Sequence, residues 1–198
     1  MTQPDNFGFG EEAALLKESA RKFFADNFTT DKLHKMVAAD HSPERMTACA
    51  WDRGLWQQMV DLGWTSLAVP ETVGGLGMPV VAVAGLVEEV GRAAFPCSLL
   101  STLNVTYVLA ACGSGGEVAL AEIAEGITAS LAITNRQASW SAADTDIKSV
   151  QGRLNGTAWF VQDARKVDRL LVSAQTSSGL ALYWVATDAT GVTVVPDA

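Results

Sequence analysis

The hydrophobic period of the chain changes near residue 128, and this change constrains the fold more than any other feature. Before it, apolar residues recur at the i, i+4, i+7, i+8 spacing of one helix face, as in Leu16, Ala20, Phe23 and Phe24. After it, short runs rich in β-branched and aromatic residues predict six strands, at 128–135, 146–152, 157–163, 169–175, 180–187 and 192–197. Helices followed by strands, without alternation, predict a segregated α+β protein. We therefore expect an all-α domain over 1–127 and an incomplete antiparallel β-barrel or sandwich over 128–198.

Capping and breaking residues divide the helical half further. A helix is predicted to begin at Ser42, an N-cap residue followed by Pro43, and to end at Gly63. Its buried face is predicted to carry Ala48, Leu55, Met59 and Leu62. Residues 64–79 hold too many prolines and glycines for a helix, and further helices are predicted at 80–92, 97–112 and 116–125. In the strand half, Asn155-Gly156 is typical of a type I′ hairpin turn.

The charge and composition exclude several classes of protein. Fourteen basic residues stand against 22 acidic ones, a net charge of −8, and no basic run is present, which excludes a nucleic-acid surface. An anionic ligand must then be held by backbone amides, helix N-termini or single basic residues. Three scattered cysteines and two histidines, His34 and His41, match neither a disulfide frame nor metal-ligand spacing. We expect a cytoplasmic protein without a signal peptide or metal.

One uncharged stretch, residues 93–116, is long enough to span a bilayer, but it contains a proline, several hydroxyl residues and a glycine-rich end. We interpret it as a core helix, so no membrane span is expected.

Common catalytic motifs are absent from the sequence. The glycines at 74–77 follow no predicted strand, which argues against a dinucleotide-binding loop. Glu88 and Glu89 are adjacent on a helix and diverge, so they are interpreted as surface or boundary residues rather than a catalytic pair. From these residues alone, the chain is a two-domain protein that could bind a ligand.

Five segments in the same order resemble the acyl-CoA dehydrogenase family. Those of the helical half are WQQMVDLGWTSLAVPETVGGLG (56–77) and VEEVGR (87–92). Those of the strand half are GITASLAIT (126–134), LNGTAWFV (154–161) and DRLLV (168–172). The resemblance spans nearly the whole chain and implies the family's N-terminal helical domain followed by its middle β-domain.

The resemblance implies an FAD-dependent oxidation of an acyl-CoA thioester to the 2,3-enoyl-CoA, as in fatty-acid β-oxidation, with the cofactor performing the redox chemistry. It implies that Leu131, Ile133 and Thr134 lie along the flavin pyrimidine edge, offering backbone amides and a hydroxyl. It places Phe160 against the flavin ring and Gln162 near N5, and it places Ser139 or Ser141 near the flavin and CoA phosphates. The implied partners are the acyl-CoA substrate, an electron-transfer flavoprotein or similar acceptor, and further subunits in a homo- or hetero-oligomer.

The sequence also departs from the family. Asn135–Ser141 lacks the acid, proline and glycine that commonly follow the first strand, Ala158 replaces a usual lysine, and Asp163-Ala164 replaces Asn-Gly. The family's catalytic glutamate usually lies in a C-terminal helical bundle, so this chain is expected to be an inactive N-terminal half with no catalytic residue of its own. Three alternatives stay open: a non-catalytic partner subunit of a heteromeric dehydrogenase, a flavin-dependent hydroxylase of the same fold, and an acyl-CoA-binding module without redox chemistry. The small polar residues Ser101, Thr102 and Asn104, in the predicted acyl-pocket helix, are interpreted as helix packing rather than an opening for a polar acyl group.

Overall fold

A computed structural model describes residues 9–38 and 52–195, and in these ranges six α-helices precede five β-strands. This order confirms the predicted α+β class. The helices are α1 (Glu11–Asn27), α2 (Thr30–Ala38), α3 (Arg53–Asp61), α4 (Val80–Arg92), α5 (Leu99–Ala111) and α6 (Glu117–Ala124). The strands are β1 (Ala129–Ala132), β2 (Lys148–Val150), β3 (Arg153–Asn155), β4 (Arg169–Thr176) and β5 (Gly179–Ala186). None of the described helices is both long and apolar enough to cross a membrane.

The chain forms two compact units. The first extends to Cys97 and includes Ala124–Gly126, and the second comprises Ser98–Ile123 together with the residues from Ile127 onwards. Helix α5 and most of α6 therefore group with the strands. The division into domains at 1–127 and 128–198 follows the change of sequence period and stays a prediction.

The first unit contains an aromatic cluster in which the buried face of α1 meets rings from later in the chain. As predicted, Ala20 and Phe24 of the α1 stripe are buried, while Leu16 and Phe23 are half-buried. The Phe24 ring lies 5.9 Å from Trp64 and 5.8 Å from Phe95, measured between ring centroids. Contacts of this kind add to the burial of the rings, so α1 is held by its aromatic face.

Helix α3 has a well-defined beginning and end. Asp52 caps its N-terminus, since the Asp52 Oδ1 accepts the Leu55 amide at 2.8 Å. At the other end Gly63, with a φ of +76°, donates to Val60 O, and Trp64 donates to Met59 O, which together form a Schellman motif. The predicted stop at Gly63 is confirmed, as is the burial of Leu55 and Met59. Leu62 is exposed, so its predicted burial is wrong, while the predicted start at Ser42 and the predicted burial of Ala48 lie outside the described residues.

The glycine-rich segment 74–77 folds back over residues 66–70. Gly75 N–H donates to Pro70 O and Gly77 N–H to Val69 O, at 3.1 and 2.9 Å. Gly74 has a φ of +89°, a conformation that favours glycine. Position 75 has no space for a side chain, because a Cβ there would lie 2.1 Å from Val69 O. Gly75 thus permits a tight backbone-to-backbone contact, and Gly74 permits a positive φ.

We expect Gly75→Ala to lower the free energy of unfolding by about 3 kcal/mol, because the methyl group would overlap a backbone carbonyl. Gly74→Ala is the matched control: its side chain would meet open space, and it should cost only about 1 kcal/mol for the positive φ. Urea unfolding followed by tryptophan fluorescence measures both. Equal losses would contradict the steric explanation.

A buried carboxylate connects α1 to α4. Glu89 is 1% exposed, and its Oε1 and Oε2 accept from Arg21 Nη2 at 2.9 Å and from Arg21 Nε at 3.2 Å. Arg92 Nε lies 3.1 Å from the same carboxylate. The hydrogen bonds from Arg21 lower the pKa of Glu89 below its ordinary value of 4.5. Glu88 is 54% exposed, as predicted, but the predicted surface or boundary position of Glu89 is wrong.

Because the folded state lowers the pKa of Glu89, the ionised carboxylate stabilises the fold above pH 4.5, and this contribution is lost as the pH falls further. We expect Glu89→Gln to cost about 2 kcal/mol at neutral pH. The difference from the wild type should shrink as the pH drops below 4.5. Glu88→Gln, at an exposed position on the same helix, should cost less than about 0.5 kcal/mol. Chemical unfolding across a pH series checks this, and a pH-independent difference would contradict it.

The sheet of the second unit is organised around β4. Strand β5 pairs antiparallel with the full length of β4, from Arg169↔Ala186 to Thr176↔Gly179. A strand has only two edges, so β1 and β2 share the other edge of β4. β1 runs parallel to its first half, from Ala129↔Arg169 to Ala132↔Val172, and β2 meets its second half at Lys148↔Gln175. The sheet is therefore mixed rather than wholly antiparallel, and it does not close into a barrel in the part of the chain described.

Two predicted strands and one predicted turn are wrong in detail. Residues 157–163 form no strand, because Phe160 and Asp163 have φ values of +54° and +53°, which a strand does not accommodate. Residues 192–195 are irregular, and 196–198 lie outside the described residues. The tight turn joins β2 to β3 at Gln151-Gly152, with φ values of +52° and +75°, not at Asn155-Gly156. Gly156 instead allows a close approach: a Cβ there would lie 2.5 Å from Asp146 O.

Candidate functional site

The outer edge of β1 presents a row of backbone groups. Thr128 O accepts the Arg169 amide at 3.0 Å, so Thr128 and alternate residues after it direct their backbone groups towards β4. The backbone groups of Ala129 and Leu131 consequently point to the opposite edge, and Ile133 follows directly after the strand. In the region described, no strand pairs with that edge.

Helix α5 closes the start of this edge. The Ala129 amide donates to the Thr102 Oγ1 at 3.0 Å, and that hydroxyl donates in turn to Ser98 O at 2.7 Å. Strand β1 is therefore fixed against α5 at its first residue. The backbone groups of Leu131 and Ile133 lie beyond this contact.

Thr134 continues the row where the strand ends. The residue is 5% exposed, and its carbonyl accepts the Trp159 amide at 2.9 Å. Its hydroxyl makes no hydrogen bond to any residue of the described chain. Two amides and a hydroxyl in succession can hold the carbonyl-rich edge of a planar heterocycle without any charged side chain.

The loop that follows is held by Asn135, which is buried. Its Oδ1 accepts the amides of Gln137 and Ser139 at 3.0 and 2.9 Å, and its Nδ2 donates to Asp144 O at 3.1 Å. From the sequence alone, Asn135 is only a departure from the family pattern. An asparagine followed by polar residues and no regular period is the signal of such a turn, and it could have indicated this role.

The two serines of this loop differ in their surroundings. The Ser139 hydroxyl donates to Asp144 Oδ2 at 2.7 Å and accepts the Ser141 amide at 3.2 Å, so it is engaged within the loop. Ser141 is exposed at the outer side. A role for either serine near phosphates stays a prediction, and Ser141 has the freer hydroxyl.

Phe160 and Gln162 lie on an irregular segment that reaches the end of β1 through the hydrogen bond from Trp159 to Thr134. The Phe160 ring is 55% exposed, and Gln162 is exposed. Trp159 is half-buried, with the Arg136 guanidinium carbon 5.6 Å from its ring centroid. The structure thus brings Thr134 and the 159–162 segment together, with an exposed aromatic ring on that segment.

We expect Asn135→Ala to release the loop, because two amides lose their acceptor and Asp144 O loses its donor. The free energy of unfolding should fall by about 2 kcal/mol. Hydrogen exchange at the amides of Gln137 and Ser139 should become faster. Gln137→Ala, a change to an exposed side chain in the same loop, is the control and should leave both quantities unchanged. Unchanged exchange in Asn135→Ala would show that the loop is held by other contacts.

Comparisons with known proteins agree with the resemblance found in the sequence. The family model for the acyl-CoA dehydrogenase N-terminal domain matches residues 10–117. The acyl-CoA dehydrogenase IpdE2 of Mycobacterium tuberculosis is 29% identical over 117 residues, which cover 59% of this chain and 34% of IpdE2. The chain therefore spans about a third of that curated relative.

Solved structures give the same fold. A variant of the Tcur3481–Tcur3483 steroid ACAD superposes with a TM-score of 0.72 at 29% identity, covering 92% of this chain and 50% of that one. An acyl-CoA dehydrogenase from Bacillus anthracis, complexed with FAD, gives a TM-score of 0.72 at 20% identity, covering 100% of this chain and 34% of that one. At this identity the second likeness concerns the fold alone. With the family model matching more than half of its residues, the chain belongs to the acyl-CoA dehydrogenase family.

Proposed function

We propose that this chain provides the flavin-binding strand and the N-terminal helical part of an FAD-dependent acyl-CoA dehydrogenase, which oxidises an acyl-CoA thioester to the 2,3-enoyl-CoA. The observation that carries the proposal is the outer edge of β1, with which none of the described strands pairs, together with the residues directly after the strand, so that Leu131, Ile133 and Thr134 would offer donors in succession. Family membership supports the same reaction class.

The residues present have the chemistry that a flavin requires. The amides of Leu131 and Ile133 and the hydroxyl of Thr134 would donate to the pyrimidine edge, and Phe160 would cover a face of the ring. The Gln162 amide would donate a hydrogen bond where the family often has a hydroxyl. When bound, FAD supplies the acceptor for the two electrons removed from the substrate. These backbone and side-chain groups would bind and orient the ring, and the Phe160 ring would limit the access of water.

We infer that the base that removes the α-proton comes from outside these 198 residues, so that the chain alone is inactive. The carboxylates of the loop that follows the donor row (Leu131, Ile133 and Thr134) support this inference, because they already accept hydrogen bonds within that loop. Asp144 accepts from Ser139, and Asp146 Oδ2 accepts the Arg136 amide at 3.1 Å. A general base must be free to reach the proton that it abstracts.

Incubation of the chain with acyl-CoA, FAD and an electron acceptor should give no enoyl-CoA, and turnover at an enzyme-like rate would contradict the inference.

A second candidate is a non-catalytic partner subunit of a heteromeric dehydrogenase. The Asn135 loop, which departs from the family pattern, favours it, and one structural relative, the Tcur3481–Tcur3483 steroid ACAD, pairs two proteins. A homo- or hetero-oligomer and an electron-transfer flavoprotein or similar acceptor are part of the proposal in either case. A flavin-dependent hydroxylase of the same fold would differ in its product, a hydroxylated compound rather than an enoyl-CoA.

Titration of the purified chain with FAD, followed by quenching of flavin fluorescence, tests the proposed site. We expect binding by the wild type, and Thr134→Val should weaken it about tenfold because one hydrogen bond is lost. Phe160→Ala should weaken it by about the same factor through lost ring contact. Thr176→Val, the same chemical change at the exposed β4–β5 turn, is the matched control and should bind as the wild type does.

The control also defines the opposing outcome. If Thr134→Val and Thr176→Val bind FAD equally well, the donor row is not the flavin site. If the wild type binds no FAD but restores enoyl-CoA formation by a second chain, the partner-subunit candidate replaces the first.

A further inference from the structure

The segment that carries Phe160 and Gln162 has an unfavourable backbone. Phe160 and Asp163 both have φ values in the left-handed region, and a bulky aromatic residue rarely adopts this conformation. Such a conformation persists only where the surroundings determine it fully. The exposed Phe160 ring is not held by core packing, so contacts of the neighbouring residues must fix the segment.

One such contact comes from helix α5. The Ser101 hydroxyl, on a residue 2% exposed, lies 3.0 Å from Asp163 Oδ2 and also 3.0 Å from Ser98 O. A hydroxyl has one proton to donate, and a carboxylate is the stronger of these two acceptors. The bond to Asp163 therefore joins the irregular segment directly to a regular helix of the same unit.

Asp163 is tied to the chain that follows it as well. Its backbone carbonyl accepts the amides of Lys166 and Val167 at 2.7 and 3.2 Å. Lys166 Nζ lies 3.9 Å from Asp163 Oδ1. Together with the hydrogen bond from Trp159 to Thr134, these contacts give the segment two fixed points, one on each side of Phe160 and Gln162.

We propose that Ser101 and Asp163 are positioning residues for flavin binding: their hydrogen bond holds Phe160 and Gln162 in place before the ring arrives. This inference rests on the proposed function. It assigns a role to Asp163, which stands where the family commonly has asparagine, and to Ser101, whose hydroxyl is turned towards the protein rather than an acyl group. A ring held in advance loses less conformational freedom on binding, which raises affinity.

A double-mutant cycle in the full chain tests the inference, with FAD affinity as one measurement. Ser101→Ala and Asp163→Ala should each weaken FAD binding about fivefold, and the double variant should be no weaker than either single one. Asp163→Asn keeps a side-chain oxygen for the Ser101 hydroxyl and should stay within about twofold of the wild type. Thr106→Val is the matched control, since it removes another buried α5 hydroxyl, which donates to Thr102 O of the same helix.

The second measurement needs no cofactor. Without FAD, hydrogen exchange at the amides of Trp159 to Gln162 should become about fivefold faster in Ser101→Ala and Asp163→Ala, and it should stay unchanged in Thr106→Val. Additive losses of affinity, or equal effects of Ser101→Ala and Thr106→Val, would overturn the inference. If the wild type binds no FAD while the exchange changes as expected, the hydrogen bond does hold the segment but its role in flavin binding is overturned together with the proposed function. If the exchange does not change, the inference fails by itself.

Discussion

Two short strands share one edge of β4, and the candidate site depends on this arrangement. Strand β1 occupies the first half of that edge, and β2 takes it over at Gln175. The chain between them must leave the sheet and return, which Thr145 and Ile147 accomplish by bonding to Ser173 O and the Gln175 amide, both at 2.9 Å. The end of β1, with Thr134, and the loop of Asn135 lie at this interruption.

The proposed flavin donors, Leu131, Ile133 and Thr134, carry no charge. This agrees with a chain that has a net charge of −8 and 14 basic residues among 198. Such donors suit a neutral, carbonyl-rich ring edge, because they are directional and cost no desolvation of an ion. Thr102 sets the limit of the row by bonding to Ala129, so that only the backbone groups further along β1 stay available.

The predictions that the structure confirms are those that depend on local sequence patterns. The α1 stripe and the stop at Gly63 need only a helical period and a residue that tolerates positive φ. The failures come from interactions that no period reveals. Phe160 and Asp163 adopt left-handed backbone inside an apolar run, so a strand was expected where none forms. The turn falls at Gln151-Gly152 because β2 and β3 pair there, although Asn155-Gly156 is the stronger local signal.

In the candidate site, too, local sequence patterns have to be separated from contacts between residues that are distant in the sequence. The resemblance named the residues of the row, but the direction of their backbone groups follows from the register of β1 on β4, which is a tertiary property. The three hydrogen bonds of Asn135 and the burial of Glu89 likewise depend on which residues of distant sequence approach them. The flavin role of the row stays a prediction, whereas the pairing of β1 with β4 and the contacts of Asn135 and Glu89 are seen only in the folded chain.

The carboxylate between α1 and α4 has a consequence for how these helices choose their alignment. Their apolar faces repeat every turn, so a slide of one helix along the other by about 5.4 Å would still bury hydrophobic surface. Such a slide would carry Arg21 away from Glu89 and leave a charge in the interior with only Arg92 beside it. The Arg21–Glu89 pair, together with the Lys17–Glu88 pair, thereby favours the observed register over those that the hydrophobic residues alone would tolerate.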